Sequence, residues 1–247
     1  MGLVVSGEDG DVFKIALNRP EKLNAVNIEM LGLLIEAFGR AGASQSKVVL
    51  LYGNGMAFCA GMDLSCLAEM KTEEEAGKGF DLFHKLNEGI WGSDKPVVAA
   101  INGYCLGGGN ELAISCDFRI ASRNAIFGQP EIVHGITPGG GATYMLPYLI
   151  GAGKAKEMIM RGNRIDSNEA HGIGLVNMVV GEENAYDSAY KYCTELAKMP
   201  DEALGLVKRA MNSQFVYDPS IERNAFVKSV MSNAAKERIA AFLSKRD

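Results

Sequence analysis

Gly103-Tyr-Cys-Leu-Gly-Gly-Gly-Asn-Glu-Leu-Ala-Ile-Ser-Cys-Asp117 is the stretch around which the rest of the chain is arranged. The segment before it, Lys95-Pro-Val-Val-Ala-Ala-Ile101, is short and apolar and reads as a buried strand. After it, Leu112, Ala113 and Ile114 read as a buried helical turn. Gly107, Gly108 and Gly109 therefore sit where a strand gives way to a helix N-terminus. Free backbone N–H groups and the positive end of a helix dipole meet there, with no Cβ to hold a ligand away. Glu111 lies just inside that helix. Oriented donors beside a carboxylate suit a reaction with a developing oxyanion and a mobile proton.

The 247 residues make one large domain or two small ones, able to bury roughly 70–75% of the extended surface. The 29 glycines cluster in residues 53–61, 103–109 and 135–141, which marks three turns for attention. A net charge of −5 argues against a nucleic-acid surface, which needs a dense basic patch. Lys236, Arg238, Lys245 and Arg246 form the one basic cluster of note. Five cysteines (59, 66, 105, 116 and 193), odd in number and without C-x-x-C spacing, read as buried hydrophobes in a reducing, cytoplasmic compartment. No apolar run approaches the ~18 residues of a membrane helix, so no membrane partner is expected. Gly2 and Ser6 fit a loose myristoylation pattern, but Leu3–Val5 reads as the start of a first strand.

Taken in order, the chain alternates. Asp11–Leu17, Lys47–Tyr52, Pro96–Asn102, Phe118–Ala121, Ala125–Phe127 and Leu175–Val180 read as strands. Helices are predicted from an Asn27 cap to about Ala41, over Asp63–Met70 and Thr72–Trp91, and from Gly139 to Ile150. From Glu182 onward the signal is helical. Strands alternating with helices, then a helical tail, indicate an α/β core with a helical C-terminal portion. A nucleotide-binding fold is disfavoured, because neither G-x-G-x-x-G nor G-x-x-x-x-G-K-[ST] occurs.

Four stretches together resemble the crotonases, the enoyl-CoA hydratase/isomerase superfamily. They are Leu17-Asn-Arg-Pro-Glu-Lys-Leu-Asn-Ala25, Ala57-Phe-Cys-Ala-Gly-Met-Asp-Leu64, Lys95 through Gly109, and Phe127-Gly-Gln-Pro-Glu-Ile-Val-His-Gly135. The resemblance covers nearly the whole chain and implies a spiral of repeated ββα units. Residues 1–190 would form the spiral core with the active site. Residues 191–247 would form a helical region that builds a homo-oligomer, a trimer or a dimer of trimers.

The implied chemistry handles acyl-CoA thioesters through an enolate. Carried over by motif, the oxyanion hole is the backbone N–H groups of Met62 and Gly108, and the catalytic carboxylates are Glu111 and Glu131. In the simplest assignment Glu111 activates water and Glu131 acts as the acid at the α-carbon. Two carboxylates around one water can do this if burial and repulsion split their pKa values. Ala60, Asp63, Leu64, Gly107, Thr137 and Pro138 are expected along the substrate. Leu64, Leu67, Met70 and Phe80 are candidates for the acyl pocket, His134 for an acyl contact, and Lys245-Arg246 for a CoA phosphate. No separate cofactor is expected, since coenzyme A enters with the substrate. With His84, His134 and His171 widely separated, no metal site is indicated.

Holding both glutamates favours the hydratase branch over the double-bond isomerases, which usually lack the first. The dienoyl isomerases carry an aspartate where this chain has Gly139. Two departures bear on substrate. A usual Gln-Arg pair is Tyr144-Met145 here, and a lysine often found near the CoA is Ser65. These leave open an isomerase, or a hydratase or dehydratase of an unusual acyl-CoA or carrier-bound acyl group. A non-catalytic, RNA-binding relative would show an altered glutamate pair or an added basic patch, and neither is visible.

Overall fold

Two sheets of unequal strand length set the architecture of the computed structural model, which describes residues 2–181, 185–214 and 216–245. Among the described residues the larger sheet holds β1 (Val4–Asp9), β2 (Val12–Leu17), β3 (Val48–Gly53), β5 (Val97–Ile101), β7 (Phe118–Ser122) and β10 (Met178–Val180), neighbouring in that order. The smaller holds β4 (Ala57–Cys59), β6 (Tyr104–Leu106), β8 (Ile126–Gly128) and β9 (Arg164–Asp166). Apart from the antiparallel pairs β1–β2 and β8–β9, all neighbours run parallel. Each pair β3–β4, β5–β6 and β7–β8 puts one strand in each sheet before the chain turns into helical structure. The chain thus climbs one strand per turn in both sheets at once, which is the ββα spiral.

The helices are α1 (Ile28–Ala43), α2 (Leu64–Glu69), α3 (Glu73–Trp91), α4 (Gly108–Ser115), α5 (Ala142–Ile150), α6 (Ala152–Arg161), α7 (Ser167–Gly172), α8 (Ala185–Leu196), α9 (Asp201–Asn212), α10 (Pro219–Val230) and α11 (Asn233–Leu243). Local chemistry sets several of their ends. Asn27 caps α1 by accepting from Met30 N–H at 2.8 Å. Thr72 and Glu75 form a reciprocal capping box at the start of α3. Helix α5 begins at Ala142, three residues later than the sequence suggests, because Gly139–Gly141 form the turn that enters it.

The central strands are buried on both faces, hence their unbroken apolar runs. Val49, Leu51, Val97, Ala99 and Ile101 face α1 and α3, while Val48, Leu50, Val98 and Ala100 face α8. A third apolar cluster forms where the C-terminal helices fold back. Phe226, Val227 and Val230 of α10 and Ile239 of α11 meet Leu67, Met70 and Phe80 of the α2–α3 region. Helix α9 is pinned by buried Lys208, whose Nζ donates to Ile90 O, Lys95 O and Asp117 Oδ2. Among the described residues no helix is long and apolar enough to cross a membrane.

Candidate active site

Two backbone turns meet where strands of the small sheet end. Gly61 follows β4 at φ 105° and Gly107 follows β6 at φ 53°, both in the left-handed region that favours glycine. A Cβ on Gly109 would lie 2.2 Å from Cys59 O, so α4 can start this close to β4 only with glycine there. A Cβ on Gly108 would lie 3.3 Å from Met62 N, and one on Gly61 would lie 3.4 Å from Gly108 N. The backbone nitrogens of Met62 and Gly108 are therefore neighbours.

Both amides are held in place. Met62 forms a parallel bridge with Val26, in which Val26 N–H donates to Gly61 O and Asp63 N–H donates to Val26 O, each at 2.8 Å. Alternation along extended backbone turns the Met62 N–H to the other side. Gly108 N–H belongs to the first turn of α4, where no intrahelical acceptor exists. The Val26 side is fixed in turn by Asn24, buried with φ 55°, whose amide donates to Asn54 O and Ala57 O. Arg19 donates to Ala25 O and forms a 2.6 Å ion pair with Asp63. Burial pushes the Asp63 carboxyl up, but the Arg19 guanidinium and the Ser65 amide outweigh it and leave it below the usual range.

Glu111 projects from the first turn of α4 and is buried. Its Oε1 accepts from Gly140 N–H at 2.8 Å and Ala142 N–H at 3.1 Å, at the positive end of α5. The Phe83 ring closes the gap beside it, since a Cβ on Gly140 would lie 2.6 Å from that ring and 2.7 Å from Glu111 Oε2. Burial, then repulsion from Glu131 and Glu222, raises the Glu111 pKa well above the carboxylate range, against the pull of the two amides.

Glu131 sits in a 3-10 turn, Pro130–His134, after β8. It reaches back to α4, as a Cβ on Gly107 would lie 2.8 Å from its Oε1. Gln129 Nε2 donates to that Oε1 at 3.0 Å and is itself oriented by Asn110 Nδ2, which donates to Gln129 Oε1 at 2.9 Å. Glu131 Oε2 is buried with no hydrogen-bond partner among the described residues. Burial pushes the Glu131 carboxyl up to about 7, with repulsion from Glu222 adding and the Gln129 amide subtracting.

The other anticipated residues are placed as follows. Ala60 N–H donates to Leu23 O, Leu64 opens α2, and Leu67, Met70 and Phe80 lie in the apolar cluster under α10 and α11. Thr137 N–H donates to Ser229 Oγ of α10, and Pro138 is buried beside it. His134 is half-buried, edge-on to Phe242 at 5.1 Å, and burial lowers its pKa. Tyr144 stacks on Tyr217 at 4.2 Å, and Met145 is buried against Ser115. Arg246 lies outside the described residues. Burial pushes the thiols of Cys59 and Cys116 up to about 12, as suits small core side chains. A cavity of about 880 Å³ lined by Tyr52, Asn54, Asn102, Tyr104 and Tyr186 touches none of the site residues.

Three parts of the site are not evident from sequence. Asn110 and Gln129 are visible beside each glutamate, but nothing in the pattern says they bond to one another. Asn87 donates to Gly140 O from α3. Buried Glu222 reaches the same loop from α10, and the helical signal after Glu182 does not single it out.

The neighbouring amides of Met62 and Gly108 lie beside two carboxylates of raised pKa, an arrangement suited to moving protons beside a carbonyl. The family description "Enoyl-CoA hydratase/isomerase" matches residues 7–247, and the chain belongs to that family. It is 38% identical to a short-chain-enoyl-CoA hydratase of Clostridium acetobutylicum, covering 98% of this chain and 95% of the relative. It is also 38% identical to a crotonyl-CoA hydratase of Syntrophomonas wolfei, covering 93% and 90% respectively. A crystal structure of an enoyl-CoA hydratase from Thermoplasma volcanium superposes with TM-score 0.83 at 36% identity, over 99% of this chain and 97% of that one. The fold is the crotonase fold.

The raised pKa values have a consequence for stability. A carboxyl whose folded-state pKa exceeds its unfolded value binds its proton more tightly when folded. Its contribution is fully present below the unfolded pKa and is lost as pH rises toward about 7 for Glu131. Glu131→Gln, which cannot ionise, should therefore unfold at higher urea than the wild type at pH 8, by on the order of 2 kcal/mol. The gap should close near pH 4. An equal or lower midpoint for the variant at pH 8 would show that the Glu131 carboxylate is not strained by burial.

Proposed function

We propose that this chain adds water reversibly across the double bond of a 2-enoyl-CoA thioester. The feature that supports this reading is a pair of buried carboxylates, Glu111 beside Gly140 and Glu131 beside Gly107, near the neighbouring amides of Met62 and Gly108. The thioester oxygen would accept from both N–H groups. Each such donor is typically worth about 2.7–4 kcal/mol of barrier, because its dipole is fixed before charge develops. Water held between the carboxylates would attack the β-carbon as one of them takes its proton. The carbon–carbon π electrons move toward the carbonyl and give an enolate held by the two amides. A proton delivered to the α-carbon completes a 3-hydroxyacyl thioester, with one water consumed and no other co-reactant.

The roles follow from the surroundings of each carboxylate. Glu111 Oε1 accepts two backbone N–H groups at a helix N-terminus, which orient the carboxylate and pull against the larger push of burial, and this placement supports it as the base. Glu131, with a pKa near about 7 and a buried Oε2 facing no acceptor, supports the acid that supplies the α-proton. Because these groups repel, one proton shared by the pair is the working state.

Leu64, Leu67, Met70 and Phe80 are proposed to meet the acyl chain, and Ala60, Asp63, Leu64, Gly107, Thr137 and Pro138 to frame the thioester. No cofactor beyond the coenzyme A of the substrate is required by this chemistry. Four of the five free cysteines are buried, which fits a reducing, cytoplasmic setting. Helix α9 leaves Leu206, Val207 and Met211 exposed, and Ile221 on α10 is 71% exposed; exposed apolar side chains on these helices support self-association as a trimer or dimer of trimers. A light-scattering mass of three or six chains is expected, and a monomer at micromolar concentration would overturn it.

Mixing the protein with a short 2-enoyl-CoA should bleach the absorbance of the conjugated thioester. Glu111→Gln and Glu131→Gln should each lose roughly 10²–10⁴-fold in rate. Gain of that absorbance from a 3-enoyl-CoA, with no hydration, would instead assign an isomerase.

A further inference from the structure

We propose that Glu222 of α10 is a positioning residue for Glu111, because the two carboxylates grip alternate amides of the turn that starts α5. Gly140 N–H and Ala142 N–H donate to Glu111 Oε1. Between and after them, Gly141 N–H donates to Glu222 Oε1 at 2.7 Å and Thr143 N–H to Glu222 Oε2 at 3.0 Å. The Thr143 hydroxyl also donates to Glu222 Oε2. Four successive N–H groups are thus shared between helices α4 and α10. The α5 N-cap, Gly141, has no side chain to do this locally, so capping comes from both distant helices.

The same helix holds this turn in two further places. Phe226 fills the space a Cβ on Gly139 would occupy, at 2.5 Å, and Ser229 Oγ accepts from Thr137 N–H. From α3, Asn87 Nδ2 donates to Gly140 O. Without Glu222, the amides of Gly141 and Thr143 lose their acceptors, and the turn can rotate away from Glu111. Such misplacement by about 1 Å can cost roughly 10²-fold in rate.

Glu222 also brings charge. The buried cations Arg119 and Lys208 are engaged elsewhere, on backbone carbonyls and Asp117. The titratable groups facing Glu222 are Glu111 on α4, Glu131 in the 3-10 turn, Tyr144 on α5 and Tyr217 before α10. On α3, which packs against α10, Asp81 is ion-paired with Arg223, and His84 Nε2 lies 3.1 Å from Glu88 Oε1. Glu222, whose own carboxyl burial pushes up, therefore repels the site pair when it is ionised and raises both.

This inference rests on the hydratase reading for its kinetic arm but not for its structural arm. In Glu222→Gln, amide hydrogen exchange at Gly140 and Ala142, which bond to Glu111 and not to Glu222, should accelerate. That readout holds whether or not the protein hydrates enoyl thioesters, so the two ideas fail separately. With a short 2-enoyl-CoA, kcat should fall by about tenfold or more while KM stays within about threefold. Loss of the negative neighbour lowers the pKa of the remaining pair, so the kcat profile should move to lower pH. Thr143→Ala removes one hydrogen bond and should show the same exchange change and a smaller fall in kcat, which keeps the idea testable if Glu222→Gln does not fold. A folded variant with a lower melting temperature but unchanged kcat, pH profile and exchange at Gly140 and Ala142 would overturn the proposal.

Discussion

The near-contact between residues 60–62 and 107–109 is the constraint on which the site depends. Strands β4 and β6 are parallel neighbours, so both end at the same edge of the small sheet and their following turns face each other. Only glycine fits at 61, 107 and 109 for reasons of backbone angle or space. Each glycine costs about 0.5–1 kcal/mol in chain entropy relative to alanine in regular structure. Burial of Phe58, Cys59 and Cys105 around the meeting offsets part of that. The outcome is that the backbone nitrogens of Met62 and Gly108 are held as neighbours.

Against this rigid pair the molecule sets carboxylates that burial makes unwilling to ionise. Glu111, Glu131 and Glu222 are compensated by backbone amides and by Gln129 rather than by lysine or arginine. A cation would have paired them and pulled their pKa values down, fixing both site carboxylates as spectators at neutral pH. Amides orient them and leave them able to exchange protons. The cost is stability above the unfolded carboxylate pKa, a trade that functional sites commonly show. The apolar cluster joining α10 and α11 to α2 and α3 supplies compensating burial.

Much of the large sheet was legible because strands buried on both faces must be apolar throughout, as in Val48–Leu51 and Val97–Ile101. Helices α1 and α3 were legible through their caps, Asn27 and Thr72 with Glu75. The small sheet was only partly so: β4, β6 and β9 are three-residue strands, too short for any period to register. The motifs around Gly61, Gly107–Glu111 and Glu131 marked positions of interest, and the fold brings all of them together. Glu222 stayed hidden because its burial depends on α10 packing over the turn at residues 137–143, a tertiary fact with no local signature.

The central claim is that Glu111 and Glu131 work as one unit on one water beside the Met62 and Gly108 amides. A double-mutant cycle on hydration of a short 2-enoyl-CoA, using Glu111→Gln, Glu131→Gln and the pair together, tests it most directly. If the two share one step, the double variant should be slower than the slower single variant by no more than about threefold. Losses that multiply, or a single variant that keeps the wild-type rate, would contradict the account.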